Sequence, residues 1–363
     1  MRRRFLRYML FTPPLLLVAC GSDSKSTSTA TPASSGTTAA GSPAANQPLQ
    51  KVTVGYVNVL PWSPIFVGVE KGYFREQGLE VQLQQLSGGA EITTQTAAGN
   101  FNVGTGGSSA LFNAIGRSKQ LGQKPPLTIV SPLHLEKPPL ATPLVVSKKA
   151  YDEGRITKVS DLKGKRVAIN APGTATEYWL ELALRKGGLS VKDVEVTGVP
   201  FPNIGQALDA GQIAAAALTE PFATLATRQG QIKVLDNAFL DGEIGTLLFY
   251  NSDWATKNPA LAQGFMTGFL KAVRDLESGG WGDAATLTIL SKYTDVPVDV
   301  IKEAPRPYGE PNGVVDLTLL GNQQTFFKAQ DRLTYDQPLD LAQYVDTRYA
   351  QEAVKTLGPF TRR

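Results

Sequence analysis

The sequence predicts an α/β protein of two lobes, each a mainly parallel sheet flanked by helices, joined by two crossings of the chain. Three observations carry that expectation. Short β-branched runs alternate with helical segments over residues 52–130, the pattern repeats over residues 144–235, and the chain beyond residue 250 is almost wholly helical. Alternation of this kind lays strands side by side with helices over their faces. Crossings near residues 144–148 and 243–250 give one lobe from 49–145 and 246–363, and a second from 146–245.

In the first series, residues 52–57 form a β-branched strand, and Ser63-Pro64 caps a helix that runs to Lys71 and stops at Gly72. Residues 80–86 alternate apolar and polar, as a half-buried strand does. Gly88-Gly89 opens a helix ending at Gly99, 101–104 is a strand, and Gly106-Gly107-Ser108-Ser109 leads into a helix through about Ser118. Residues 127–130 are the next apolar run. The second series places strands at 165–170, 194–199, 213–218 and 232–235. Its helices are a Gly173-Thr174 start running through Arg185, residues 203–210 closed by Gly211, and a start at Thr219-Glu220-Pro221. Thr174-Ala175-Thr176-Glu177 has capping-box spacing. After a strand at 246–250, residues 259–276 carry Leu261, Phe265, Phe269 and Val273 on one helical face.

The N-terminus has a different composition. Arg2, Arg3, Arg4 and Arg7 precede a short apolar stretch that ends Leu17-Val18-Ala19-Cys20-Gly21. That stretch is too short for a membrane-spanning helix and reads as a signal peptide over 1–19. The ending resembles the lipobox of bacterial lipoproteins, which implies lipidation at Cys20 and anchoring to the extracytoplasmic side of the cell membrane. Arg2-Arg3-Arg4-Phe5-Leu6-Arg7 also matches part of a twin-arginine motif, so two export routes stay open. Residues 20–48 are mostly Ser, Thr, Ala, Gly and Pro and form no core, so they read as a tether.

The residue inventory excludes several chemistries. Losing residues 1–20 removes four arginines and no acid, leaving 36 − 4 = 32 basic against 32 acidic side chains. A neutral body has no electrostatic reason to bind nucleic acid. The chain's one cysteine is Cys20 and its one histidine is His134. The body therefore holds no disulfide, no thiolate nucleophile and no cysteine–histidine metal site, and no cofactor is expected. A lone histidine in Ser131-Pro132-Leu133-His134 reads as a structural or pocket-wall residue, not a general base.

Glu70-Lys71-Gly72-Tyr73-Phe74 followed by Gly78-Leu79-Glu80-Val81 resembles the early signature of substrate-binding proteins of ABC importers. The subgroup handles nitrate, alkanesulfonates, taurine and thiamine-precursor pyrimidines. Residues 98–104, 161–167 and 207–221 resemble it in order. The resemblance implies the two-lobed periplasmic-binding-protein type II fold. It also implies capture of a small organic or anionic solute in the inter-lobe cleft, for delivery by a monomer to an ABC permease and its ATPase. Two readings remain beside it: an enzyme of the thiamine-pyrimidine type on the same fold, and a solute-sensing receptor module. Asn102 and Ala214 stand where the family pattern usually has aspartate, a change in turn capping.

The ligand site is expected where strands end and helices begin. Candidates are Asn58 and Trp62 after the first strand, and Gly106, Gly107, Ser108 and Ser109 after the third. Gly173, Thr174, Ala175 and Thr176 are their counterpart in the second lobe, joined by Phe201 and Glu220. Free N–H groups and hydroxyls at such helix starts bind an anion without any arginine. Trp62, Phe201 and Tyr178 are expected to stack on the solute, and Trp179, on another helix face, to lie in the core. Arg306, in a Pro305-Arg306-Pro307 loop, is a candidate counter-ion.

Overall fold

The computed structural model describes residues 48–106 and 108–361. Cys20, Gly107 and all but Pro48 of the segments expected as signal peptide (1–19) and tether (20–48) lie outside the described residues.

The first series runs β1 (Gln50–Tyr56), α1 (Ser63–Glu70), β2 (Leu79–Gln85), α2 (Gly89–Ala97), β3 (Val103–Gly106), α3 (Ser109–Gln120) and β4 (Leu127–Glu136). The second runs β5 (Leu144–Ser147), α4 (Lys148–Asp152), β6 (Arg166–Ile169), α5 (Ala175–Arg185), β7 (Glu195–Gly198), α6 (Phe201–Asp209), β8 (Ala215–Ala217), α7 (Phe222–Arg228) and β9 (Ile232–Asp236). Strand β10 (Glu243–Asn251) comes next, and then helices α8 (Ser252–Lys257), α9 (Pro259–Glu277), α10 (Ala284–Thr294), α11 (Val298–Glu303), α12 (Leu317–Ala329) and α13 (Arg348–Leu357).

The strands form two five-stranded sheets, ordered β2-β1-β3-β10-β4 and β7-β6-β8-β5-β9. Both are mixed, where mainly parallel sheets were expected. β1 is parallel to β2 and β3, and β6 to β7 and β8. β10 is antiparallel to β3 and β4, and β5 to β8 and β9. The reversed strands are those that come directly after the passages between sheets. Residues 137–143 and 237–242 make these passages, which carry the chain from β4 to β5 and from β9 to β10. Residues 144–147 and all of 243–250, where the two crossings were expected, are strand.

Local chemistry explains several departures at element ends. Ser63 does not cap α1; its Oγ donates to the Leu60 carbonyl at 2.5 Å and closes the turn before the helix. Thr174 precedes α5 without capping it, because its hydroxyl is bonded back to Asn170 and Ala171. Helix α6 starts two residues earlier than expected, with Pro202 in its first turn where a missing N–H costs nothing. Strand β4 runs on past residue 130 through Pro132 to Glu136, which an edge strand tolerates. Asn102, the aspartate position of the family pattern, accepts from Thr53 N at 2.8 Å and ties the β3 entry to β1.

The helical tail covers the first sheet. Phe265, Phe269 and Val273 of α9 are buried as the periodicity requires, and Phe74 stacks on Phe265 at 4.7 Å. A fully buried side chain of this size contributes roughly 1.5–3 kcal/mol. In the second sheet, central β8 is Ala215-Ala216-Ala217, wholly buried. No helix among the described residues is long and apolar enough to cross a membrane.

Candidate functional site

A cavity of about 60 Å³ lies where both sheets end, so the strand-to-helix turns expected to meet do meet. From the first sheet come Val59, Pro61 and Trp62 after β1, Gly89 at the start of α2, Gly106 at the end of β3 and Ser108 after it. The second contributes Asn170 after β6, Thr174, Ala175, Thr176 and Trp179 around the start of α5, Phe201 of α6, and Thr219 after β8. His134 of β4, Thr142 of the first passage, and Gly245 and Thr246 of β10 complete the wall.

None of these described lining residues is Asp, Glu, Lys or Arg. Polarity comes from hydroxyls, amides and ring N–H groups. Asn170 Oδ1 accepts from the hydroxyls of Thr174 at 2.9 Å and Thr176 at 2.6 Å, which fixes both side chains. Ser108 adopts φ 75°, a left-handed conformation uncommon for a residue with a Cβ, at the turn into α3. Trp62 Nε1–H donates to Thr105 Oγ1 at 2.6 Å, and that hydroxyl donates on to the Gly55 carbonyl at 2.9 Å. The indole is thereby locked edge-inward, leaving its apolar body for the cavity.

Two further bonds tie the halves together beside the cavity. Ser109 donates from both N (3.1 Å) and Oγ (2.9 Å) to the Gly173 carbonyl. Gly173 N in turn donates to buried Glu177, whose carboxylate pairs with Arg332 at 2.7 Å. Ser109 and Gly173 thus bond to each other and do not line the cavity.

Asn58 lies outside it as well, on a neighbouring surface depression beside Pro200 and Phe201. Glu220 is buried and turned away, accepting from Thr224 N at 3.0 Å and Thr224 Oγ1 at 2.9 Å. Burial pushes its carboxyl up to about 7, with buried Glu136 adding to the rise. Arg306 is exposed and away from the lining.

On α5 the cavity takes Trp179 and not Tyr178. Tyr178 packs on Phe326 at 5.3 Å, and burial pushes its phenol up to about 12. Trp179 is buried among the core side chains, as expected, and also lines the cavity. The helical repeat explains its place there: Trp179 follows Ala175 and Thr176 by four and three residues, so it shares their face. That spacing was the available signal. His134, read as a structural or pocket-wall residue, is on the wall, and Asn170 opens the β6-to-α5 turn, whereas Thr142, Gly245 and Thr246 had no local signal, since each reaches the cavity through strand pairing or a passage between sheets. Among the described residues, no three His, Cys, Asp or Glu side chains cluster as a metal site.

Two mixed sheets flanked by helices, with a cavity at the strand ends, define a periplasmic-binding-protein-like α/β protein. The chain belongs to the NMT1-like family, whose model matches residues 45–288. It is 25% identical over 324 residues to the nitrate/nitrite binding protein NrtA of Synechococcus elongatus, covering 82% of this chain and 70% of that protein. To the taurine-binding periplasmic protein of Escherichia coli it is 29% identical over 197 residues, covering 53% and 56%. The alkanesulfonate-binding protein SsuA from Xanthomonas axonopodis pv. citri, solved bound to MOPS, shares the fold at a TM-score of 0.65 and 21% identity, covering 83% of this chain and all of that one. The desulfurization enzyme DSZB shares it at a TM-score of 0.60 and 17% identity, over 85% of this chain and 99% of that one. The fold alone does not separate binding from catalysis.

Proposed function

We propose that the protein is the extracytoplasmic solute-binding component of an ABC importer, holding a small organic or anionic solute between two lobes and passing it to a permease and its ATPase. The observation that carries this reading is the cavity itself: small, walled by turns from both sheets and free of ionised side chains among its described lining. One water needs about 10–15 Å³ of such space, so there is room for about five. That suits nitrate, taurine, a short alkanesulfonate or a single-ring heterocycle, and not a flavin. An anion would be held by N–H groups at the starts of α3 and α5.

Binding is favoured over catalysis by the lining chemistry. Its one histidine has as neighbour Glu136, a carboxylate already accepting from Ala141 N, Thr142 N and Thr142 Oγ1. A thermal-shift screen of nitrate, methanesulfonate, taurine, bicarbonate and pyrimidines, followed by calorimetry, tests the reading. At least one should raise the melting temperature and titrate one to one; no response from any would refute the solute class.

Anchoring through lipidated Cys20 belongs to the same reading, with residues 20–48 as leash and a monomeric body. The lobes would be residues 49–145 with 246–363, and 146–245. Cys20→Ser is expected to move the protein from the membrane fraction to the soluble one or to block signal cleavage. Unchanged fractionation together with unchanged processing would overturn it.

A further inference from the structure

Five buried side-chain polar atoms among the described residues have no hydrogen-bond partner, and three of them belong to one cavity wall. They are Trp179 Nε1 and both ring nitrogens of His134. Trp179 is 3% exposed and His134 2%. The two rings meet edge to face at 6.2 Å, one from α5 of the second sheet's half and the other from β4 of the first. Natural proteins rarely leave buried donors unpaired, because each has given up its water for nothing. The other cavity tryptophan makes the contrast: Trp62 donates its N–H to Thr105.

We infer that Trp179 Nε1–H and the His134 ring are the ligand's polar anchors, bridged by an acceptor group of the solute. The inference rests on the solute-binding reading above and deepens it. An indole N–H donates and never accepts, so Trp179 demands an acceptor: a sulfonate, nitrate, carboxylate or carbonyl oxygen. His134 presents one donor and one acceptor when neutral and two donors when protonated, with Glu136 Oε1 3.6 Å from its Nε2. The wall therefore selects solutes by an oxygen that both halves of the protein must reach at once. Trp62 and Phe201 contribute apolar surface, and the Thr174 and Thr176 hydroxyls already have Asn170 as acceptor.

The test uses the full processed protein with 15N-labelled indoles. The chain's four tryptophans give four N–H signals, assigned by triple-resonance spectra. Methanesulfonate, taurine and nitrate serve as probes, with binding measured independently by calorimetry. A bound probe should move the Trp179 indole signal downfield and leave that of Trp62 near its starting place. Trp179→Phe should bind the same probe roughly ten- to a hundredfold more weakly, the loss expected for a hydrogen bond to a charged acceptor. The spectrum is read on the parent protein, so the result does not depend on how the variant folds. A probe that binds without moving the Trp179 signal overturns this inference and leaves the solute-binding reading standing. If no probe binds the parent protein at all, that reading fails, and this inference with it.

Discussion

Gly245→Ala is expected to weaken solute binding at least a hundredfold while leaving the protein folded. Gly245 sits at an irregularity in the pairing of β10 with β4, between Ile244 opposite Leu135 and Thr246 opposite His134. A Cβ placed there would lie 2.6 Å from His134 Cδ2 and nearer still to Nε2 and Cε1. Contacts this short force the imidazole to move. Trp179 stands on one side of the ring and Glu136 on another, so the open direction is the cavity. An imidazole pushed into about 60 Å³ occupies the space the solute needs. The fold should lose only about 1–3 kcal/mol, the usual cost of overpacking by a methyl group. Calorimetry with the solute found for the parent protein, beside a urea melt of the variant, measures both terms. Parent-like affinity in a folded Gly245→Ala protein would show that His134 does not border the ligand.

The second large effect is on stability and arises at Glu220. Its carboxyl titrates near 7 in the folded protein against an ordinary value of 4.5, chiefly because burial disfavours the charged form. Between those values the folded state keeps a proton that the unfolded chain has released. The contribution is present in full below about pH 4.5, falls as pH rises, and is gone above about pH 7. At about 1.36 kcal/mol per unit, the rise amounts to about 3 kcal/mol. Glu220→Gln should therefore be more stable than the parent at pH 8, by about 1–3 kcal/mol. The amide nitrogen facing Thr224 takes back part of the gain, since one of that residue's two donors loses its acceptor. At pH 5 the two proteins should be nearly equal. Urea melts at both pH values test this, and a variant no more stable at pH 8 than the parent would rule out a buried, proton-holding Glu220.

Several site residues are legible in the sequence alone. Trp62, Gly106, Ser108, Thr174, Ala175, Thr176 and Phe201 stand at strand-to-helix positions, and all seven lie on the cavity wall. Such turns announce themselves locally, through glycines and hydroxyl residues between a β-branched run and a helical one. Glu220 stands at a turn of the same kind and points elsewhere. A turn fixes where a backbone goes, and the choice of side-chain partner falls to whatever packs nearby, here Thr224 one helical turn on.

By itself the sequence determined the order of strands and helices, the two α/β series, the helical tail and the family. These depend on periodicity within a dozen residues and on runs of words that survive in a single chain. Only the tertiary structure decided that β5 and β10 run against their neighbours. It alone put His134 and Trp179 on one wall, and Arg332 against Glu177 across 155 positions of sequence. The physical reason is range. Local propensity sets a strand or a helix residue by residue, but which faces meet across two sheets is set by contacts between segments that carry no record of one another in their own composition.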